Sequence, residues 1–299
     1  MVAAHDAGGA EVVSSWLRTA AGGDYRQVDF LLAGPAVKVF GTKLPVVALL
    51  AETRALNGIA GYDRVLTGTS WGSTLERRVI AAAKAAGVKV AAYLDHWINY
   101  RERFLLDGAL TLPDELWAGD EYAYKLAREI FPTATVVLEP NRYFSDAVAA
   151  VAAVEAVAVP PRRGDEPRVL YVCEPRTMNY GQPDYWGYDE YAALAGYLAY
   201  LAGQGSVVEE VRVRLHPAES PGKYAAVTNR FAAALPLTES GGAPLSADCA
   251  WADWVVGCDS MAMAIALLAG KKVFSCIPPG GRAMTLPFPA IIRLFASNE

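Results

Sequence analysis

The chain has three histidines, and each stands among groups that move protons or hold anions. His5 and Asp6 occur in MVAAHDAGGAEVV, Asp95 and His96 in VKVAAYLDHWINYRERF, and His216 and Pro217 in VRVRLHPAESPGKY. A carboxylate near a bound hydroxyl can take its proton, and an imidazole can stabilise charge on a departing group. Asp6 and Asp95 are therefore the candidate bases. His216 is the candidate group for a leaving phosphate, projected from the turn that Pro217 fixes.

Other residues suit binding better than chemistry. His5, Gly8 and Gly9 lie between an apolar run and a helical one, where glycines permit close backbone approach and a helix N-terminus favours an anion. His96, Asn99 and Arg101 offer donors among Trp97, Tyr100 and Phe104, a mixture suited to carbohydrate. The alternative there is a packed bend, with the arginines paired to Glu102 and Asp107. In GCDSMAMAIALLAG, Asp259 or Ser260 caps the following helix or holds a phosphate on its free amides. Glu174 opens a long polar and aromatic loop, EPRTMNYGQPDYWGYDEY, suited to a base or sugar.

Two familiar patterns are weak here. The fuller dinucleotide fingerprint GxGxxG is absent, which disfavours NAD. Gly68-Thr69-Ser70-Trp71-Gly72 matches the GxSxG string of a hydrolase elbow, but His96 follows too closely and His216 lies across the expected linker.

These residues need a scaffold that brings strand ends together. VDFLLAG (28–34), YDRVLTG (62–68), VKVAAYL (88–94), ELWAG (115–119) and TATVVLE (133–139) read as strands. Helical runs such as TLERRVIAAAKAAG (74–87) and EYAYKLAREIF separate them. The Ala/Val-rich run AVAAVAAVEAVAVPPRRGDEP (147–167) ends in loop composition and reads as a linker. Alternation then resumes with RVLYVCE, VEEVRVRL, WVVGC and KKVFSC. The expected fold class is α/β, with two doubly wound Rossmann-like domains and a central cleft. Residues 1–155 are expected to form the first domain and 156–299 the second. Ligands of parallel sheets bind beyond the carboxyl ends of the strands, where the residues above fall.

Bulk properties narrow the partners. A net charge of −5 without a Lys/Arg block disfavours nucleic acid. No apolar run reaches the length of a membrane span, and no secretory signal is visible, so a cytoplasmic location is expected with little before the fold. The four cysteines lack CxxC spacing and read as buried free thiols, not as metal ligands.

Taken together, the two α/β halves, HDAGGAE, RLHP and GCDSMAMAIALLAGKKVFS resemble GT-B-fold glycosyltransferases. The His-Pro and the later serine are similar to motifs of bacterial CMP-sugar, sialyltransferase-like enzymes. That resemblance implies that His216 and Ser260 contact the donor phosphate and that neither a metal nor a cofactor is required. The acidic motif that supplies the base in several such families has no clear counterpart, so Asp6 and Asp95 remain alternatives. The expected function is metal-independent glycosyl transfer from a nucleotide sugar, CMP-sugar before UDP-sugar, to a glycan or glycoconjugate. Glu174, Asp259 and Pro217 complete the expected donor site. The alternatives are a UDP-sugar 2-epimerase and a non-catalytic nucleotide- or glycan-binding protein on the same fold.

Overall fold

The structure is a computed structural model and describes residues 1–20, 28–44, 48–157, 159–176, 186–205 and 207–295. The chain forms two compact units, Met1–Asp146 and Ala147–Glu299. Their division falls inside one helix, earlier than the boundary expected after residue 155.

The first unit contains β1 (Val2–Ala4), α1 (Ala7–Ala20), β2 (Phe30–Leu32), α2 (Pro35–Lys43), α3 (Glu52–Asn57), β3 (Arg64–Thr67) and α4 (Leu75–Ala85). It continues with β4 (Lys89–Leu94), β5 (Leu105–Leu106), β6 (Ala109–Leu110), β7 (Glu115–Ala118), α5 (Glu121–Ile130) and β8 (Val136–Leu138). Helix α6 (Arg142–Val157) carries the division between units. Six strands form one parallel sheet in the order β2-β1-β3-β4-β7-β8, while β5 and β6 make a small antiparallel hairpin.

Period-two alternation explains why the strands read as unbroken apolar runs. Ala3, Val65, Val90, Ala92 and Leu116 enter one core, and Val2, Ala4, Leu66, Ala91 and Trp117 enter another. A strand buried on both faces needs apolar residues at every position. Helices on both faces complete a doubly wound unit.

The second unit contains β9 (Arg168–Val172), α7 (Glu190–Gly203), β10 (Glu210–Arg214), α8 (Ala225–Phe231) and β11 (Leu237–Glu239). Then come α9 (Leu245–Trp251), β12 (Trp254–Gly257), α10 (Met261–Leu268), β13 (Lys272–Ser275) and β14 (Ile292–Arg293). Its strands are again parallel, in the order β11-β10-β9-β12-β13-β14.

Both orders reverse direction once. In the first unit β2 lies on one side of β1 and β3 on the other; in the second, β10 and β12 flank β9. Crevices open at such reversals, beyond the carboxyl ends of the two strands. His5 and Asp6 leave β1 at the first reversal. Glu174 and Asp259 follow β9 and β12 at the second.

Candidate functional site

At the first reversal the chain builds a hydrogen-bonded dyad. His5 Nδ1 lies 2.7 Å from Asp6 Oδ1, and the Trp71 amide donates to Asp6 Oδ2 at 3.1 Å. Burial raises the pKa of Asp6, but bonds from His5, Ser70 and Trp71 outweigh it and hold the carboxyl below its ordinary value. An ionised Asp6 accepts the Nδ1 proton, which leaves Nε2 as the basic nitrogen of a neutral His5. Gly34, at φ +53°, keeps that side of the ring open: a Cβ there would lie 2.7 Å from Nε2.

Behind the dyad sits Glu76, in the first turn of α4 and 2% exposed. Its Oε1 accepts the His5 amide at 2.7 Å, and its Oε2 is buried with no hydrogen-bond partner among the described residues. Burial pushes its carboxyl up to about 7, with Asp6 adding to the shift. The His5 and Glu76 amides and the His5 charge oppose it. Sequence reading passed over Glu76 because an acid in a first helical turn is ordinary. It missed Trp71 too, whose ring is half-exposed above the same reversal.

Asp95 is placed differently from expectation. Its Oδ1 accepts from Thr69 Oγ1 at 2.8 Å and from Arg103 Nη1 at 2.5 Å, and both partners of the ion pair are nearly buried. Its other oxygen occupies the space that a side chain at Gly8 would fill. The geometry makes Asp95 an anchor between the loops after β3 and β4, packed against Gly8, and it gives Arg103 a partner other than Glu102 and Asp107, the pairs of the packed-bend alternative. Gly8 and Gly9 serve the same close packing. A Cβ on Gly9 would meet the backbone of Gly68 and Thr69 at 3.0–3.1 Å.

The rest of the LDHWINYRERF segment is a knitted bend. His96 Nδ1 accepts the Trp97 amide at 2.9 Å, and the Trp97 indole donates to Asp120 at 3.0 Å. Asn99 takes φ +56°, and its carbonyl accepts the Arg103 amide. Arg101 is exposed. The GxSxG string does not make an elbow here: Ser70 is 1% exposed and its Oγ accepts the Ser73 amide.

In the second unit His216 follows β10, exposed at the rim of a cavity of about 540 Å³ lined also by Arg214, Pro217, Glu219 and Ser240. The Ala218 amide donates to Nδ1 at 3.2 Å, so a neutral ring carries its proton on Nε2. Desolvation on its packed side and Lys223 lower its pKa, against the pull of Glu219. In its neutral form His216 thus offers an N–H donor, one of the two ways an imidazole there can meet a phosphate. Glu219 locks the turn by accepting the His216 amide at 2.8 Å, Lys223 at 2.7 Å and the Tyr224 hydroxyl at 2.6 Å.

Ser260 is the N-cap of α10, its Oγ accepting the Ala262 amide at 3.3 Å. Asp259 instead turns toward the loop after β13, accepting from the Thr285 and Leu286 amides at 3.0 Å and from Thr285 Oγ1 at 2.7 Å. Glu174 accepts the Asp259 amide at 2.6 Å and pairs with Arg176. These two carboxylates therefore brace the carboxyl edge and leave Ser260 and His216 as its donor groups. Residues 177–185 of the loop after Glu174 lie outside the described residues. Among the described residues no cluster of three or more His, Cys, Asp or Glu is placed to hold a metal ion. No helix among them is long and apolar enough to cross a membrane.

No known family profile matches the chain. No curated protein matches it in sequence. Among solved structures it is similar to the UDP-GlcNAc 2-epimerase from Methanocaldococcus jannaschii, with a TM-score of 0.62 at 12% identity. That match covers 98% of this chain and 88% of the other. It is also similar to the Neisseria meningitidis UDP-GlcNAc 2-epimerase bound to UDP-GlcNAc, with a TM-score of 0.58 at 12% identity, covering 96% and 83%. MurG from Acinetobacter baumannii follows at 0.51 and 12%, covering 92% and 77%. The fold is of the GT-B type. At this identity the likeness is one of fold: two parallel-sheet, Rossmann-like domains.

Proposed function

We propose that the chain is a nucleotide-sugar enzyme, with UDP-sugar 2-epimerisation as its leading reaction. The observation that carries the proposal is His216, an outward N–H donor on the rim of a cavity at the carboxyl edge of the second sheet. Ser260 leaves β12 on the other side of β9, so the strands that carry the two donors lie about 10 Å apart. A nucleotide's phosphates fit such a pair, held by an imidazole N–H and by the N-terminus of α10. The likeness to several UDP-GlcNAc 2-epimerases supports UDP over CMP as the nucleotide and epimerisation over transfer.

Glycosyl transfer to a glycan or glycoconjugate is the second reading. The His5–Asp6 dyad favours it, because an imidazole oriented by a carboxylate is suited to deprotonating a hydroxyl. Both readings share the break of the bond between sugar and nucleotide. They also share a cytoplasmic location and the absence of a required metal or cofactor.

Thermal shift against UDP, CMP and their sugars tests the donor site. UDP should stabilise the protein, and His216→Ala should weaken binding about tenfold, the loss of one net hydrogen bond of roughly 1.4 kcal/mol. No stabilisation by any of these nucleotides would sink the assignment. Incubation in D2O separates the reactions. Deuterium at C2 of the sugar without acceptor marks an epimerase, acceptor-dependent nucleotide release a transferase, and binding without turnover a binding protein.

A further inference from the structure

The reversal in the first sheet holds three titratable groups whose arrangement exceeds what packing needs. His5 Nδ1 is tied to Asp6, and Nε2, beside which Gly34 leaves the space of a side chain, has no hydrogen-bond partner among the described residues. The imidazole is 30% exposed, so small molecules reach it. Glu76 is bonded to the same strand end from inside the protein, yet half of its carboxyl is unused. A buried oxygen without a partner is costly, and in native proteins such an atom calls for an explanation.

We propose that His5, Asp6 and Glu76 form an acid–base centre of the first unit, in which His5 Nε2 takes the proton that the reaction releases. Asp6 holds the imidazole in the tautomer that leaves Nε2 basic. Glu76 is a positioning residue: through Oε1 it fixes the backbone from which the imidazole projects, and through its charge it sets how firmly His5 keeps a proton. The step rests on the nucleotide-sugar reading only for the identity of the substrate. A substrate O–H or C–H bond breaks and its proton passes to Nε2, while its electron pair stays on oxygen or carbon. That pair forms the new bond to the anomeric carbon, or the double bond between C2 and C1, as the bond from the anomeric carbon to the nucleotide breaks and its own pair leaves on the phosphate.

The charge environment supports this division. Helix α4 packs on β1, β3, β4, β5 and the turn at 59–61. Beyond β1 stand Asp6, which opposes a second negative charge, and His5, which welcomes one. β3 ends in the uncharged Thr67, Thr69 and Ser70, and its only charged residue, Arg64, pairs with Glu115 at the other end. β4 begins with the exposed Lys89 and is followed by Asp95, whose charge Arg103 already meets. β5 and the 59–61 turn bring only apolar residues and glycine. On α4 itself Arg77 donates to the carbonyls of Ser73 and Leu105, Arg78 pairs with Glu52, and Lys84 with Asp114. Among the described residues, Asp6 and His5 are thus the charged neighbours that act on Glu76 as it gains its charge near neutrality. When it does, a second carboxylate makes the imidazole a stronger proton acceptor.

The test compares wild type with Glu76→Gln, which keeps an oxygen for the His5 amide and removes the charge. With only three histidines in the chain, carbethoxylation of each by diethyl pyrocarbonate is resolved by peptide mass spectrometry, with His96 and His216 as internal controls. The pH at which the rate at His5 levels off should be higher in wild type than in Glu76→Gln. On a turned-over nucleotide sugar, kcat of the two proteins should agree at pH 6. At pH 8 wild type should be the faster by about tenfold, with KM unchanged. Superimposable His5 profiles would overturn the proposal. If Glu76→Gln fails to fold, Asp6→Asn decides instead: removing the carboxylate that orients the imidazole should change the His5 modification profile relative to His216, and an unchanged profile overturns the centre. Modification needs no substrate. A Glu76-dependent His5 profile in a protein that turns over no nucleotide sugar would keep the centre and remove the nucleotide-sugar reading.

Discussion

Ionising Glu76 places a charge in a site 2% exposed, so its protonation is linked to folding. Burial lifts its carboxyl to about 7 from an ordinary 4.5. The folded state therefore binds the proton more tightly than the unfolded state. The resulting stabilisation is complete below about pH 4.5 and is lost as the pH rises through 7, a total of about 3 kcal/mol. Urea midpoints at pH 4.5, 6 and 8 should fall in wild type by more than in Glu76→Gln, and parallel curves would contradict the assignment. Asp95 makes the opposite case. Asp95→Asn strands the Arg103 guanidinium without its carboxylate, and a loss of about 3 kcal/mol is expected by chemical denaturation. An unchanged midpoint would mean that Asp95 is not the anchor its contacts describe. Neither role was visible in the sequence. Asp95 and Arg103 are eight positions apart across an irregular bend, a spacing that no periodicity flags. The partners of Glu76 come from a strand seventy-one positions earlier. His5, Asp6, His216 and Ser260 were legible because a polar residue directly after an apolar run must leave a parallel sheet at its ligand-facing edge.

Among the elements, legibility followed burial. β4, β9 and β12 are covered on both faces, and their unbroken apolar runs gave them away, as did the charged face of α4. Helices α2, α3 and α9, the β5–β6 hairpin and the edge strands β11 and β14 escaped notice. They are short, and the exposed residues on the edge strands break any run. The packing of α1 shows how an element can depend on an absent side chain. Gly9→Ala would press a methyl group on the Gly68 and Thr69 backbone, which cannot rotate away, at a cost of about 1–3 kcal/mol. Gly41 in α2 has nothing within 4 Å of a built Cβ. There Gly→Ala should stabilise by roughly 0.5–1 kcal/mol through helix propensity alone. Thermal melts of the two variants should move in opposite directions, and a common direction would refute the distinction.

At the level of the whole molecule, each unit encloses its own core and its own reversal of strand order. The doubled α/β alternation pointed to two units, but the Pro- and Arg-rich stretch after Val157, read as the linker, lies beyond the division at residues 146 and 147, which the continuous α6 hides. The cysteines are distributed very unevenly between the units. Cys173, Cys249, Cys258 and Cys276 are all buried free thiols, and all belong to the second unit. Burial raises the pKa of Cys173 and of Cys249, the latter to about 12, so neither reacts while covered. A thiol reagent added to the native protein thus acts as a stopwatch for transient opening of one half, without an engineered label. If the nucleotide binds at His216 and Ser260, UDP should slow that clock by the factor one plus the ratio of free UDP to its dissociation constant. The first unit, lacking any thiol, stays silent throughout.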